Sequence, residues 1–211
     1  MAQAAAVKGF GLSTTKEVTA AHISRSLLDR IVSVTGAIMA FALVALGAAA
    51  IYGGSFALDN VRDRLAPQKI AFPPAEAMSD FDKSEGLTAF AGQEVETGIE
   101  AEAFSRYIGG HLSEINMGAT YSETSSQSRA YAAEVGEDPT AAESAKMAEL
   151  QGKVDTLFKG ETLRGMLLNA YGWWTVGQIT LWVGFGMGAM GLLLALFAAL
   201  GFRHAKKVRE A

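Results

Sequence analysis

Between Arg164 and Arg203 the chain carries no charged residue, a gap of 38 positions. A helix needs about 20 apolar residues to cross the hydrocarbon of a bilayer. There its backbone must bond to itself, because no water is present to accept or donate. The stretch from Asn169 to Phe202 therefore reads as a transmembrane helix, ending in the basic run Arg203-His204-Ala205-Lys206-Lys207. A second uncharged run, Ile31 to Leu58, covers 28 residues and reads the same way. Half of the 211 residues are hydrophobic, yet 19% are charged, and the segregation of those charges away from the two runs reconciles the figures. The expected fold class is mainly α, with two transmembrane helices flanking a small helical extracytoplasmic domain. Its segments are an N-terminal tail (1–30), helix one (31–54), an acidic helical domain (55–164), a membrane-proximal segment with helix two (165–202), and a basic tail (203–211).

Orientation follows from Lys and Arg near the membrane ends. The two tails carry eight basic residues between them, whereas Asp59 to Arg164 carries 10 Lys/Arg against 19 Asp/Glu, a net charge of −9. Both termini are expected in the cytoplasm of a plasma-membrane protein, with the acidic segment outside. Tyr52, Tyr171, Trp173 and Trp174 fall toward the acidic side, where an aromatic belt anchors helices at the interface; Arg203, Lys206 and Lys207 anchor the opposite end. The competing reading is a signal peptide cleaved near Ala48-Ala49-Ala50. A leader of about 30 residues and an apolar run longer than the usual 7–15 argue against it.

Small residues recur along both helices. On helix two Gly177, Gly184, Gly188, Gly191, Ala195 and Ala198 step by seven, four or three, which keeps one face at a 3.5-residue period. On helix one Ala45, Ala49 and Gly53 are four apart, with Gly36 and Ala40 a second such pair. In lipid, rows of this kind let helix backbones approach closely. The expected occupant of the seam is helix one, a second copy, or another membrane protein. Neither run carries a charge at mid-depth, so a proton relay or ion path has no carrier in this chain.

The acidic segment opens with Asp59-Asn60-Val61-Arg62-Asp63-Arg64-Leu65, a continuation of helix one into water. Pro67 and Pro73-Pro74 break it and leave residues 68–74 extended. Thr97 caps a helix from Gly98 to about Met117, with Ile99, Phe104, Ile108, Leu112 and Ile115 on one face. Residues 121–136 read as a Ser- and Ala-rich loop. Asp138-Pro139 starts a further helix, with Met147, Leu150, Val154 and Leu157 or Phe158 on one side as far as Gly160, after which helix resumes into the second span.

Chemistry-bearing clusters are sparse. The chain has no cysteine, so no thiolate nucleophile or disulfide exists, and His22, His111 and His204 are too scattered for a histidine metal site. Asp80, Asp82, Ser84 and Glu85 begin like a calcium loop. Glu85 stands where the sixth position needs glycine and Ala91 where the twelfth needs glutamate, so a solvated acidic turn is expected. His111 with Glu114 is a lone helix-face pair. No catalytic residue, metal or cofactor is expected.

The segments Arg62-Asp-Arg-Leu-Ala-Pro-Gln-Lys-Ile-Ala-Phe-Pro, Ala91-Gly-Gln-Glu-Val-Glu-Thr-Gly98, Tyr107-Ile-Gly-Gly-His-Leu-Ser-Glu-Ile115, Thr120-Tyr-Ser-Glu123 and above all Leu157-Phe-Lys-Gly-Glu-Thr-Leu-Arg-Gly-Met-Leu-Leu-Asn-Ala-Tyr-Gly-Trp-Trp-Thr-Val-Gly177 resemble a group of uncharacterised two-span membrane proteins of actinobacteria. The resemblance covers about residues 60–205. It implies source and topology, and no catalytic residue. The expected function is that of a non-enzymatic anchor or accessory subunit of a membrane assembly, its partners the lipid bilayer and another membrane protein or a second copy. The alternative is an extracytoplasmic ligand or signal sensor coupled through helix two to a cytoplasmic partner. Nucleic acid is not expected, because a net −9 surface repels phosphates.

Overall fold

Long uncharged runs leave a chain little choice but helix, and both runs are helical over their whole length in the computed structural model, which describes residues 25–210. The first helix, α1, is Arg25–Leu65; α2 is Asp80–Ser84, α3 Gly98–Ser113, α4 Tyr121–Val135 and α5 Ala141–Glu210. Short 3-10 turns at Ala66–Gln68, Ala75–Ala77, Leu87–Phe90 and Ile115–Gly118 connect them. Among the described residues there is no strand, only an isolated antiparallel bridge of Ala71 with Glu94. Both α1 and α5 are long and apolar enough to cross a membrane. Ser24, the expected cap of helix one, lies outside the described residues.

Contacts divide the chain into two units, one holding the segments up to Phe41 and from Leu193, the other Ala42–Leu192. In the larger unit the core gathers Val61 and Leu65 of α1, Phe72, Met78, Leu87 and Val95 of the connecting segments, Ala101 and Ala103 of α3, and Leu167 of α5. The extended stretch after Pro67 supplies Phe72, which is 3% exposed. Its ring lies 5.0 Å from that of Phe104, edge to face, and 5.4 Å from that of Phe90. Main-chain bonds from Phe72 N to Gln93 O (2.9 Å) and from Val95 N to Ile70 O (2.8 Å) hold the stretch in place.

Helix starts are fixed by reciprocal caps, in which a hydroxyl accepts an orphan N–H and an acid three residues on accepts another. The cap of α4 is the Thr120 hydroxyl, which accepts from Glu123 N, while the Glu123 carboxylate accepts from Thr120 N at 2.8 Å. The expected loop at 121–136 is thus a helix, nucleated by a Thr-x-x-Glu pattern that outweighs its Ser- and Ala-rich composition. At α5 the capping residue is Thr140 with Glu143, two residues beyond the expected start at Asp138. Thr97 precedes α3 as expected, with Glu100 accepting from Thr97 N at 2.8 Å.

Two further expectations are corrected. On the expected face of α3 Leu112 is buried and Phe104 and Ile108 pack against the core, but Ile99 is exposed, and Ala101, Ala103 and Ser105 are buried beside them. And α5 does not pause at Gly160: it runs unbroken over all 70 residues from Ala141 to Glu210. A Cβ at Gly160 would stand 2.5 Å from Leu112 Cδ2, so the missing side chain is where Leu112 packs. Leu150, Val154 and Leu157 are buried as the pattern of that segment anticipates, whereas Phe158 is exposed and its ring lies 5.7 Å from that of Tyr121.

Candidate functional site

The small-residue rows acquire a definite geometry. As far as Val61 the buried positions of α1 fall at Ser33, Ala40, Gly47, Gly54 and Val61, and those of the apolar part of α5 at Gly177, Gly184, Gly191, Ala198 and Ala205. Each row steps by seven, the repeat that keeps one seam facing a partner helix. In the larger unit a Cβ on Gly54 would lie 2.7 Å from Leu181 N and 2.8 Å from Gly177 O, and one on Gly47 2.8 Å from both Gly184 O and Gly188 N. Main chains this close admit only glycine; this is the close approach that rows of small residues allow. In the smaller unit Gly36 faces Ala198, with 3.6 Å to its Cβ, and the Ser33 side chain fills the space over Gly201. The Ser33 hydroxyl also donates to Asp29 O at 2.7 Å.

The seam of α5 is therefore filled by helix one of the same chain. Of the four-residue spacings on α1, the pair Gly36 and Ala40 lies on the face that fills it, and the row Ala45, Ala49 and Gly53 does not. Ala45, Ala49 and Gly53 are exposed, and nothing lies within 4 Å of a Cβ placed on Gly53. The seven-residue row wins because it matches the period of its partner. Gly188 borders the seam half-buried, and Ala195 is exposed.

Of the expected aromatic anchors, Tyr52 is 76% exposed, Trp173 60% and Tyr171 38%. Trp174 is different: it packs against the core of the larger unit, over Gly98 at the start of α3. It ties α5 to the compact part of the chain and is not a free interface anchor. Arg203, Lys206 and Lys207 are exposed.

Of the acidic cluster Asp80, Ser84 and Glu85 are exposed, as a solvated turn requires, but Asp82 is not. Asp82 is 1% exposed, and its Oδ2 accepts from Ser79 N at 2.9 Å and Ser79 Oγ at 2.8 Å, capping α2. Its Oδ1 is buried without a partner. The imidazole Nε2 of His111 stands 4.0 Å from Asp82 Oδ2, which makes Asp82, not Glu114, the carboxylate that faces it. His111 also meets Tyr107 edge to face at 4.5 Å between ring centres. Burial, and after it the nearby Asp82 charge, raises the Tyr107 phenol above its ordinary value of 10.0. The burial of Asp82 and its approach to His111 from 29 residues away left no trace in local spacing; only the Ser79-to-Asp82 capping pattern was there to be read.

This triplet has the parts of a proton-exchange site but not its connections. Among the described residues no hydrogen bond joins His111 to a hydroxyl, and no group of three or more His, Asp or Glu is placed to hold a metal ion. Comparison of the chain with protein families, with curated proteins and with solved structures finds no match in any of the three.

Proposed function

We propose that this chain is a non-enzymatic membrane subunit, spanning the plasma membrane twice with both termini in the cytoplasm and presenting the segment between its spans as an extracytoplasmic helical domain. The observation that carries the reading is the helix pair itself: two apolar helices of membrane length, packed on one another through glycine main chains, with Ile38, Phe41, Trp182, Phe185, Leu192 and Phe197 exposed on their outer surfaces. Water would not tolerate such a surface, and lipid solvates it. The basic tails support an inner position for both chain ends, as does the resemblance of the block from Leu157 to Gly177 to two-span actinobacterial proteins.

Because the α5 seam is occupied internally, contact with another membrane protein or a second copy falls to the outer faces, where Ala45, Ala49 and Gly53 leave α1 open to close approach. Purification in mild detergent followed by sizing tests this reading. A particle larger than one chain, or a stoichiometric co-purifying protein, is expected; a strictly monomeric particle with no companion contradicts it.

One observation favours a second reading, a sensor of an external ligand or signal. The single helix α5 runs from Ala141 to Glu210 without interruption, so a shift at its outer end has a stiff path to the basic tail.

A further inference from the structure

A groove of about 800 Å³ lies in the larger unit between α1 and α5, lined from Gly53 to Leu65 on one helix with Gln68 of the turn that follows, and from Leu163 to Thr180 on the other. Its origin is in the seam. Where Gly54 meets Gly177 the main chains nearly touch, but further along α1 the buried positions become Val61 and Leu65 and on α5 Leu167. Larger side chains hold helices further apart, and the gap opens beside them.

The lining changes character along its length. Gly53 and Ala57 make a smooth apolar floor, walled by Val176 and Trp173; Asn60 and Arg64 follow on the same face of α1, and Gln68 in the turn after it. From Gly53 to Arg64 is about 16 Å along a helix. The change falls where the uncharged run ends at Leu58, the boundary between hydrocarbon and headgroups if α1 spans a bilayer. An apolar trough ending in polar groups at that boundary fits a molecule with the same order, a tail and then a head.

Arg64 sets the charge of the head. Arg62, Arg106 and Arg164 are paired with Glu96, Glu102 and Glu161 at 2.8–3.0 Å. Among the described residues no carboxylate pairs with Arg64: its Nε donates to Asn60 Oδ1 at 2.6 Å, which orients the guanidinium. In a segment of net charge −9, a cation held in place without an acid is the complement of an anion from elsewhere. A guanidinium presents paired donors that match two phosphate oxygens.

We propose that this groove binds one anionic phospholipid of the surrounding bilayer, its phosphate on Arg64 and one acyl chain over Gly53 and Ala57. The assignment rests on the membrane reading above, and fractionation of the expressing cells decides that reading separately. Trp173 covers the chain with its ring at headgroup level, where amphipathic side chains sit.

The test uses the full-length protein in a mild neutral detergent, titrated with phosphatidylglycerol or with phosphatidylcholine of the same chains and followed by native mass spectrometry. One phosphatidylglycerol is expected to stay bound, about tenfold tighter than phosphatidylcholine, as a hydrogen bond to a charged group implies. Arg64→Gln removes that preference. Gly53→Phe, a position where a side chain meets nothing, weakens both lipids, and Arg62→Gln, which removes the same charge two residues away, leaves the preference intact. Equal binding of the two lipids, a preference that survives Arg64→Gln, or undiminished binding in Gly53→Phe with helix content unchanged overturns the proposal.

Discussion

The glycines separate by what stands opposite them. In α5, Gly152 has nothing within 4 Å of a Cβ, whereas at Gly160 the Cβ would meet three atoms of Leu112 at 2.5–3.0 Å. Alanine favours helix over glycine by about 1 kcal/mol, so Gly152→Ala is expected to raise thermal stability. Gly160→Ala gains the same propensity but must displace a buried leucine, and overpacking of this kind costs about 1–3 kcal/mol. The two variants are expected to shift the melting temperature of the purified protein in opposite directions; stabilisation by both would mean that Leu112 does not occupy that space. This contrast was not legible in the sequence, where both glycines interrupt the same apolar pattern and Gly160 reads as a helix end. Asp82 teaches the same lesson, since only the packing of α3 over α2 makes a carboxylate in an acid-rich stretch a buried one.

At the scale of elements, what was legible followed from rules that act locally. The two long helices could be read because charge is excluded over a bilayer's thickness, and α3 because Thr97 marks its start and apolar residues share one of its faces. The helix α4 is hidden by its Ser- and Ala-rich composition, although Thr120 and Glu123 carry a capping signature at its start. Face selection on α1 failed for another reason: rows of four and rows of seven coexist on it, and only the partner helix chooses between them.

The caps make their own prediction. Hydrogen bonds from Thr120 hold the Glu123 carboxyl below its ordinary value of 4.5, and those from Thr140 do the same for Glu143. A carboxyl lowered on folding stabilises the folded form above its unfolded value, and that contribution is lost as pH falls through the folded one. Protection of the first-turn amides of α4 and α5, read by hydrogen exchange against intrinsic rates, is therefore expected to decline as pH drops below about 4.5. Thr120→Ala is expected to weaken the start of α4 by about 1 kcal/mol at neutral pH. Protection unchanged from pH 6 to pH 3 would contradict the capping account.

For the whole molecule, the account stands on one division: charge outside the two apolar runs, none within them. That division was legible from composition along the chain, and the helices α1 and α5 follow it. The partner was not legible, because the small-residue row that pointed to one is largely satisfied inside the chain. The claim that most needs testing is the placement of residues between the spans outside the cell and of both ends within it. With no native cysteine, single substitutions report on this without background. In intact cells, Glu137→Cys in the exposed connection between α4 and α5 is expected to react with a membrane-impermeant maleimide. Lys207→Cys, on the exposed basic tail, is expected to react only after the membrane is opened. Labelling of Lys207→Cys in intact cells, or protection of Glu137→Cys until lysis, would contradict it.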